Sequence, residues 1–571
     1  MEGIRCGQLC RDRFSRKRRE GIVCFITVAG FLNGDGFQKM RADLRETCSE
    51  IWVIDCSPEG HQPEVATRIF QGVQQPICIV MAARKREKSK AEPARVRFCA
   101  LPKGRRDEKF AALEKMSLAA ADWVACPSGW RDPFLPAATG LWATLPALGE
   151  FFVYNGSGVM PGRTWVIAPD VESLSARWSH LISEKDLAKK EILFHPHEGG
   201  DRTVSKSSRI GLSGHEHREA SVTSDTSSLI APSRYSFRSF DRQWIIPDAR
   251  LINRPNPNLW GAYSARQIYL TVPEDRTPSA GPALTVSSLI PDLHHYNGRG
   301  GRVYPLWGNR GATEPNLKPA LLSFLAKIYG RPVSAEDLMA YIAATIAHPA
   351  FTARFNADLK QPGLRIPLTA DVKLFTEAVT LGSEVIWLHC YGERFADPKA
   401  DRPKQVPRIA KGSAPFIPAD GEIPSAPELL PDRIDYDPAK HRLHVGKGYV
   451  ENVTSQMWAY EVSGKHVIHE WFSDRQRDRS KPIIADKRPP SPLDSIQPDG
   501  WLAEYTTDLL DLLNVLGRLT LLEPAQTSLL ERICDGLLIG VDRLQEAGAL
   551  APPEEPSSAD KKGKSKKKVV S

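Results

Sequence analysis

The stretch 156–302 carries Arg163, Arg238, Arg242, Arg250, Arg254, Arg299 and Arg302, interleaved with Tyr235, Phe240, Trp244 and Trp260. A guanidinium is permanently charged and presents a planar fork of donors, so it suits a phosphate oxygen or the O6/N7 edge of guanine. Arg299 and Arg302 stand in a glycine-rich stretch, 297–302 (NGRGGR), of the kind that lets backbone approach a phosphate closely. The same residue types have a second use. Arg238, Asp241 and Arg242 suit equally an internal ion-pair network that holds a domain together, and the sequence leaves the two readings open. His294 and His295 beside Asp292 invite metal or acid–base chemistry, but adjacent residues point in different directions and no third ligand is near in sequence. The ten cysteines include no CxxC pair and no histidine at metal-ligand spacing, which implies reduced, mostly buried thiols.

Several kinds of element must position these residues. Continuous apolar runs at 21–27, 51–55 and 76–82, with a helix over 35–46 placing Phe37, Met40 and Leu44 on one face, imply an α/β layer covered on both sides, as in doubly wound domains. Three strands are too few to close such a layer, so either the rest is missing from this chain or later segments extend it. A basic stretch, 84–106, and an amphipathic one, 107–123, follow. The texture at 150–310 is β-rich and irregular, with an exposed, flexible insertion at 198–233. Residues 317–400 are helical. There Ser334 and Asp337 form a capping box before Leu338, Tyr341, Ile342, Thr345 and Ile346, which recur on one face until Pro349. A β/helical part at 430–547 ends in two leucine-rich helices, about 501–520 and 523–547. Residues 1–20 are basic and patternless, and 551–571 is a lysine-rich tail expected to be disordered.

The 571 residues hold 76 Lys+Arg and 68 Asp+Glu, a net charge of +8, with 41% hydrophobic residues. That composition excludes a disordered or fibrous chain and permits a polyanionic partner without requiring one. No apolar run reaches the roughly 20 residues that span a bilayer, and the basic N-terminus lacks a signal peptide's apolar core. The expectation is a cytoplasmic protein with no membrane partner.

Several segments together resemble the C-terminal half of Type ISP restriction–modification enzymes and related adenine-specific DNA methyltransferases. They are 21–32 (GIVCFITVAGFL) with 51–55 (IWVID), then 69–70 with 75–80 (QPICIV). Downstream come 235–244 (YSFRSFDRQW) with 248–255, 341–351 (YIAATIAHPAF) with 365–368 (RIPL), and 458–464 (WAYEVSG) with 470–475. The resemblance implies the end of a Rossmann-like methyltransferase sheet at 21–125, followed by an α+β target-recognition domain and a helical C-terminal part. It implies double-stranded DNA as the partner. On this reading Phe70 matches the position of an aromatic near a flipped base, although a Phe beside a strand also suits a core. Arg163, Arg238, Arg242, Arg254, Arg299 and Arg302 become candidate DNA contacts.

Such a methyltransferase also needs a glycine-rich turn for S-adenosylmethionine and an (Asp/Asn)-Pro-Pro-(Tyr/Phe) loop for the adenine. Neither stands in the sequence: Asn256, Pro257 and Asn258 lack the second proline and the aromatic, and Arg488 precedes Pro489 and Pro490. The expectation is a chain that binds no cofactor, has no catalytic residues of its own, is inactive alone, and works with a separately encoded catalytic half. The alternative is a non-catalytic DNA-specificity or anti-phage defence subunit that acts by binding.

Overall fold

The computed structural model describes residues 20–33, 37–58, 69–70, 75–86, 92–119, 122–136, 140–197, 200, 202–273, 278, 280–296, 301–360, 363–477 and 489–550. Arg299, most of the basic N-terminus and the lysine-rich tail lie outside them.

The first unit is a five-stranded sheet built from β1 (Gly21–Val28), α1 (Gln38–Thr47), β2 (Glu50–Asp55), β3 (Ile77–Arg84), β4 (Arg95–Ala100), α2 (Arg106–Lys115) and β5 (Val124–Ala125), in the order β1-β3-β2-β4-β5. The sheet is mixed. β3 runs antiparallel to both β1 and β2, β2 and β4 are parallel, and β5 returns antiparallel to β4. β4 arises inside the stretch that reads as merely basic, because Arg95 and Arg97 alternate with the inward-facing Val96 and Phe98. Its two core clusters draw only on residues between Val23 and Leu135. On one face α1 packs Leu44 against the sheet, while the buried Arg41 and Arg45 donate to the carbonyls of Phe31 and Pro127 at 2.9 and 2.8 Å. On the other face α2 and its flank place Leu113 and Met116 over Ile54, Ile69 and Ile77. β1 departs from the fully covered strand expected of a doubly wound layer. Val23 and Phe25 pack inward, but Ile22, Ile26 and Val28 on its other face are 74%, 51% and 40% exposed.

The second unit contains β6 (Gly156–Ser157), β7 (Ile167–Ala168), α3 (Val171–Ser183), α4 (Leu187–Phe194), β8 (Ser233–Arg238), β9 (Asp241–Ile245), α5 (Pro257–Ala262), β10 (Tyr269–Pro273), β11 (Thr285–Ser287) and β12 (Gly301–Pro305). They form two small sheets, β7-β9-β8 and β11-β10-β12-β6. Trp165, Trp178, Tyr235, Trp260 and Tyr269 fill the core between them. The insertion around 202–233 has almost no regular structure, yet Val204, Leu212, Val222 and Ile230 are buried and anchor it.

The helical part holds α6 (Pro319–Tyr329), α7 (Ala335–Ile346), α8 (Pro349–Arg354) and α9 (Val372–His389). The capping box is in place: Ser334 Oγ accepts from Asp337 N at 3.0 Å, and Asp337 Oδ2 accepts from Ser334 N at 3.1 Å. α7 is buried on nearly every side, because Ala340, Ala343 and Ala344 let neighbouring helices approach where the pattern suggests a single apolar face. Beyond lie a meander, β13 (Ile434–Asp437), β14 (Arg442–Val445) and β15 (Gly448–Val450), and helix α10 (Val467–Ser473). Then comes α11 (Ala503–Asp535), one 33-residue helix that runs through both leucine-rich segments where two helices are expected, followed by the short helix Val541–Glu546. Pro524 removes one helical hydrogen bond, but Leu512, Leu516 and Leu519 before it and Leu529, Leu530 and Ile533 after it enter the same core, which holds both halves in line.

Candidate nucleic-acid interface

The candidate arginines divide by where the sheets put them. Arg163 is 2% exposed, its guanidinium lies 4.4 Å over the Phe194 ring, and Nη1 donates to the carbonyls of Leu251 and Pro161. Burial pushes it down to about 9. An enclosed side chain cannot reach a phosphate, so Arg163 is a brace between loops rather than a contact. Arg238 stacks on Phe237 at 3.8 Å and pairs with Asp292 at 3.3 Å. Arg242 pairs with Glu393 and lies over Tyr391. Between them Asp241 turns inward to Arg475 of the C-terminal part, 3.0 Å away, and receives Gln243 Nε2 at 2.6 Å. The 238–242 turn thus feeds three separate ion pairs, of which the last two tie it to α9's end and α10's end.

Asp292 organises the histidine pair. It accepts from Tyr235 Oη at 2.8 Å and from His294 N at 2.6 Å. Burial works against its charge, but hydrogen bonding by His294 and the charge of Arg238 prevail and hold the carboxyl below its ordinary range. His295 points away, its Nε2 3.1 Å from Thr285 Oγ1, and burial pushes its imidazole down to about 4. Among the described residues no group of three or more His, Cys, Asp or Glu could hold a metal ion. Phe70 is 40% exposed, beside the buried Ile69.

Two candidates remain among the described residues, Arg254 and Arg302. Arg254 is exposed, has no side-chain partner among the described residues, and exchanges backbone hydrogen bonds with Met160 at 3.0 and 2.9 Å. Arg302, half-buried on β12, sits opposite Ser157 of β6. A cleft of about 320 Å³ is lined by Tyr154, Asn258, Gly261, Trp307, Asn309 and Arg310.

Its walls are stapled. Asn316 accepts from Tyr154 N at 2.8 Å and donates to the carbonyls of Tyr154 and Pro305 at 2.7 and 2.8 Å. Tyr154 Oη donates to Asn256 Oδ1 at 3.2 Å, and Asn256 Nδ2 to Ser157 O at 2.6 Å. Asn256 holds φ +47°, a left-handed conformation that asparagine tolerates better than most residues. Trp307 is pinned by its indole N–H on Arg266 O at 3.2 Å and by the Arg266 guanidinium 4.8 Å from its ring. The Asn309 amide is spent on Thr313. Two lining groups are left: Asn258, exposed and without a side-chain partner among the described residues, and Arg310, which donates to the Ser213 hydroxyl at 3.4 Å and meets no carboxylate among the described residues. An amide and a guanidinium are the groups that bridge adenine and guanine edges.

The contrast lies where β8 and β9 meet α11. There a far smaller cavity, about 20 Å³, is lined by Arg234, Arg242, Asp508 and Asp511, so each charge meets its opposite within the protein. Asn258 and Arg310 escape a reading based on arginine runs; the signal that points to them is the lack of an acidic neighbour in space, which sequence does not display.

This architecture, a mixed α/β chain with several small sheets and a large helical part, is one found in DNA-bound restriction enzymes. The chain matches a cryo-EM structure of a DrdV–DNA complex with TM-score 0.54 and 16% identity over 90% of this chain and 50% of that one. It matches the ATP-dependent Type ISP restriction–modification enzyme LlaBIII bound to DNA with TM-score 0.55 and 15% identity, over 91% and 33%. A nuclease-deletion mutant of the Type ISP enzyme LlaGI with a DNA substrate mimic gives 0.54 and 16%, over 90% and 39%. The chain therefore spans between a third and a half of the length of these structures, and at such identity the likeness is one of fold. No curated protein matches. The model of the Type ISP C-terminal specificity domain matches residues 150–512, more than half of the chain, and the chain belongs to that family. Among the described residues no helix is long and apolar enough to cross a membrane.

Proposed function

We propose that the chain recognises a specific double-stranded DNA sequence on behalf of an S-adenosylmethionine-dependent adenine methyltransferase, and carries the last strands of that enzyme's sheet. One observation carries the reading: within the specificity-domain match, Arg310 lines an aromatic-walled cleft, and neither it nor the exposed Arg254, four residues before the lining Asn258, pairs with a carboxylate among the described residues. Phosphates are the natural counter-charge for these guanidinium groups, and Asn258 then reads a base edge. The relatives named above are themselves DNA complexes.

The methyltransferase part rests on the first sheet. β1 and β2 run in the same direction, joined through α1, with β3 inserted antiparallel between them. We infer no S-adenosylmethionine site here, in keeping with Phe31 and Leu32 directly after β1, which are core residues, 1% and 2% exposed. The cofactor, the adenine-binding loop and the methyl transfer belong, in this reading, to a separately encoded catalytic half, and this chain alone is inactive.

The test is selection from a random pool of double-stranded DNA at two salt concentrations, followed by a methylation assay without added protein. Enrichment of one sequence, affinity that falls steeply with salt, and no methylation are expected. Binding without sequence preference or without salt dependence overturns the recognition reading, and methylation by the chain alone overturns the inactive one.

A further inference from the structure

We infer that residues 208–219 form a finger whose tip, Ser213 and Gly214, is the seat of Arg310. The tip fixes the guanidinium at the cleft without cancelling its charge, which makes Ser213 and Gly214 positioning residues for DNA binding. The inference deepens the DNA-recognition reading above and rests on it.

The stretch lies inside the polar insertion and is nonetheless built. Its base closes where Ser208 N donates to Glu219 O at 3.1 Å, and Gly211 lies against the His217 side chain. His215 N donates to Leu212 O at 3.0 Å, which turns the chain at the tip. Both ends of the finger are tied to the core. Behind the base the buried Arg250 donates to Ala220 O at 2.9 Å. At the tip Leu212 is buried, and the His215 ring meets the Trp260 ring edge-on with centroids 5.1 Å apart. Trp260 stands in α5 between the cleft-lining Asn258 and Gly261. Such anchors hold the tip at one place against the cleft wall.

The tip faces a single charged side chain. A Cβ added at Gly214 would lie 2.8, 2.9 and 3.1 Å from Nη2, Nη1 and Cζ of Arg310, so the guanidinium lies across bare backbone there. Gly214 also holds φ +87°, in the left-handed region that glycine adopts without a steric cost. Ser213 Oγ accepts from Arg310 Nη1 at 3.4 Å. His215 completes the surround. Burial, and after it the Arg310 charge, hold its imidazole below the ordinary range, so it stands neutral beside the guanidinium at pH 7.

None of these groups is an anion. Glu216 pairs with Arg218 at 2.7 Å, Glu219 lies 3.9 Å from His217, and among the described residues no carboxylate pairs with Arg310. Other arginines of this unit are held by means that cancel or hide their charge: Arg238 and Arg242 pair with carboxylates, and Arg163 is buried. A long exposed side chain loses rotamer freedom when it meets a phosphate, and fixing it beforehand lowers that cost. A seat of glycine backbone, hydroxyl and neutral imidazole fixes the guanidinium and leaves its full charge for the phosphate.

The experiment measures affinity across a range of salt for the duplex enriched from the random pool and for the unselected pool. The parent, Ser213→Ala, Gly214→Ala and Arg310→Ala are compared with the two combinations of a finger variant and Arg310→Ala, and circular dichroism checks that each keeps the parent's fold. Gly214→Ala, whose methyl group displaces the guanidinium, is expected to flatten the slope of log affinity against log salt by about 1, as Arg310→Ala does, with no further flattening in the combination. Ser213→Ala, which adds no bulk and no backbone strain, weakens binding roughly threefold in the parent and not at all on the Arg310→Ala background. Finger variants that are silent while Arg310→Ala flattens the slope, or whose effects persist undiminished without Arg310, overturn the seat and leave DNA recognition at the cleft standing. A parent whose binding ignores salt, or an Arg310→Ala variant with the parent's slope, overturns both.

Discussion

Replacing Asp241 by leucine removes one half of an ion pair that joins β9 to the C-terminal part. The carboxylate and the Arg475 guanidinium lie 3.0 Å apart, with side chains 1% and 0% exposed. At an effective dielectric near 20, unit charges at that distance attract by about 5.5 kcal/mol before desolvation is counted. Desolvation is substantial, since burial raises the Asp241 carboxyl above its ordinary value in spite of its partner. In Asp241→Leu the guanidinium still donates to Trp471 O at 2.8 Å and lies 4.0 Å from the Trp471 ring, but it loses its hydrogen-bonded counter-charge and keeps only the weaker field of Asp508. Stranding a buried charge costs about 3–5 kcal/mol. The double variant Asp241→Leu/Arg475→Met removes both charges and recovers most of that, ending within about 1 kcal/mol of the parent or above it. Urea unfolding followed by tryptophan fluorescence reads both effects. A single variant as stable as the parent, or a double variant no better than the single, refutes the claim that this pair fastens the 238–242 turn to the C-terminal part.

Three further outcomes follow from the packing. Burial pushes the imidazoles of His295 and His348 down to about 4 and that of His389 to about 3. All three fall below the unfolded value near 6.5, so their stabilisation is complete above that pH and is lost as pH falls toward 4. Urea midpoints at pH 7.5 and 4.5 should differ accordingly; equal midpoints contradict it. Gly382→Ala would push a methyl group into the Ala340 carbonyl where α9 crosses α7, costing on the order of 1–3 kcal/mol or more, and a melting temperature unchanged from the parent would show that the helices can part freely. Arg163→Met should lower the urea midpoint while leaving the salt dependence of DNA binding as it was, and the reverse pattern would restore Arg163 as a contact.

How far the sequence could be read depended on whether its signals were local. The capping box at Ser334, the α/β texture of 21–82 and the family resemblance all rest on short patterns; the box and the family held, and the texture gave a mixed α/β sheet without the cover on both faces. β4 was hidden because its outward positions are arginines, and α11 was divided because Pro524 is a local breaker overridden by a shared core. The site was legible only in part. Arg254 is exposed and has no side-chain partner among the described residues, but Arg163, Arg238 and Arg242 look alike in sequence and differ only through partners distant along the chain: Leu251, Asp292 and Glu393. The open reading of 238–242 resolved toward ion pairing for the same reason. Asn258 and Arg310 gave no sequence signal at all.

The most direct test of DNA recognition at the cleft is the slope of log affinity against log salt for the parent, Arg254→Ala, Arg310→Ala and the double variant. Each guanidinium that neutralises a phosphate contributes about 0.9 to that slope. The cleft account predicts that the single variants flatten it by about 1 and the double by about 2, with Asn258→Ala altering sequence preference but not slope. Slopes that stay equal across the series would place DNA on another surface and contradict the account.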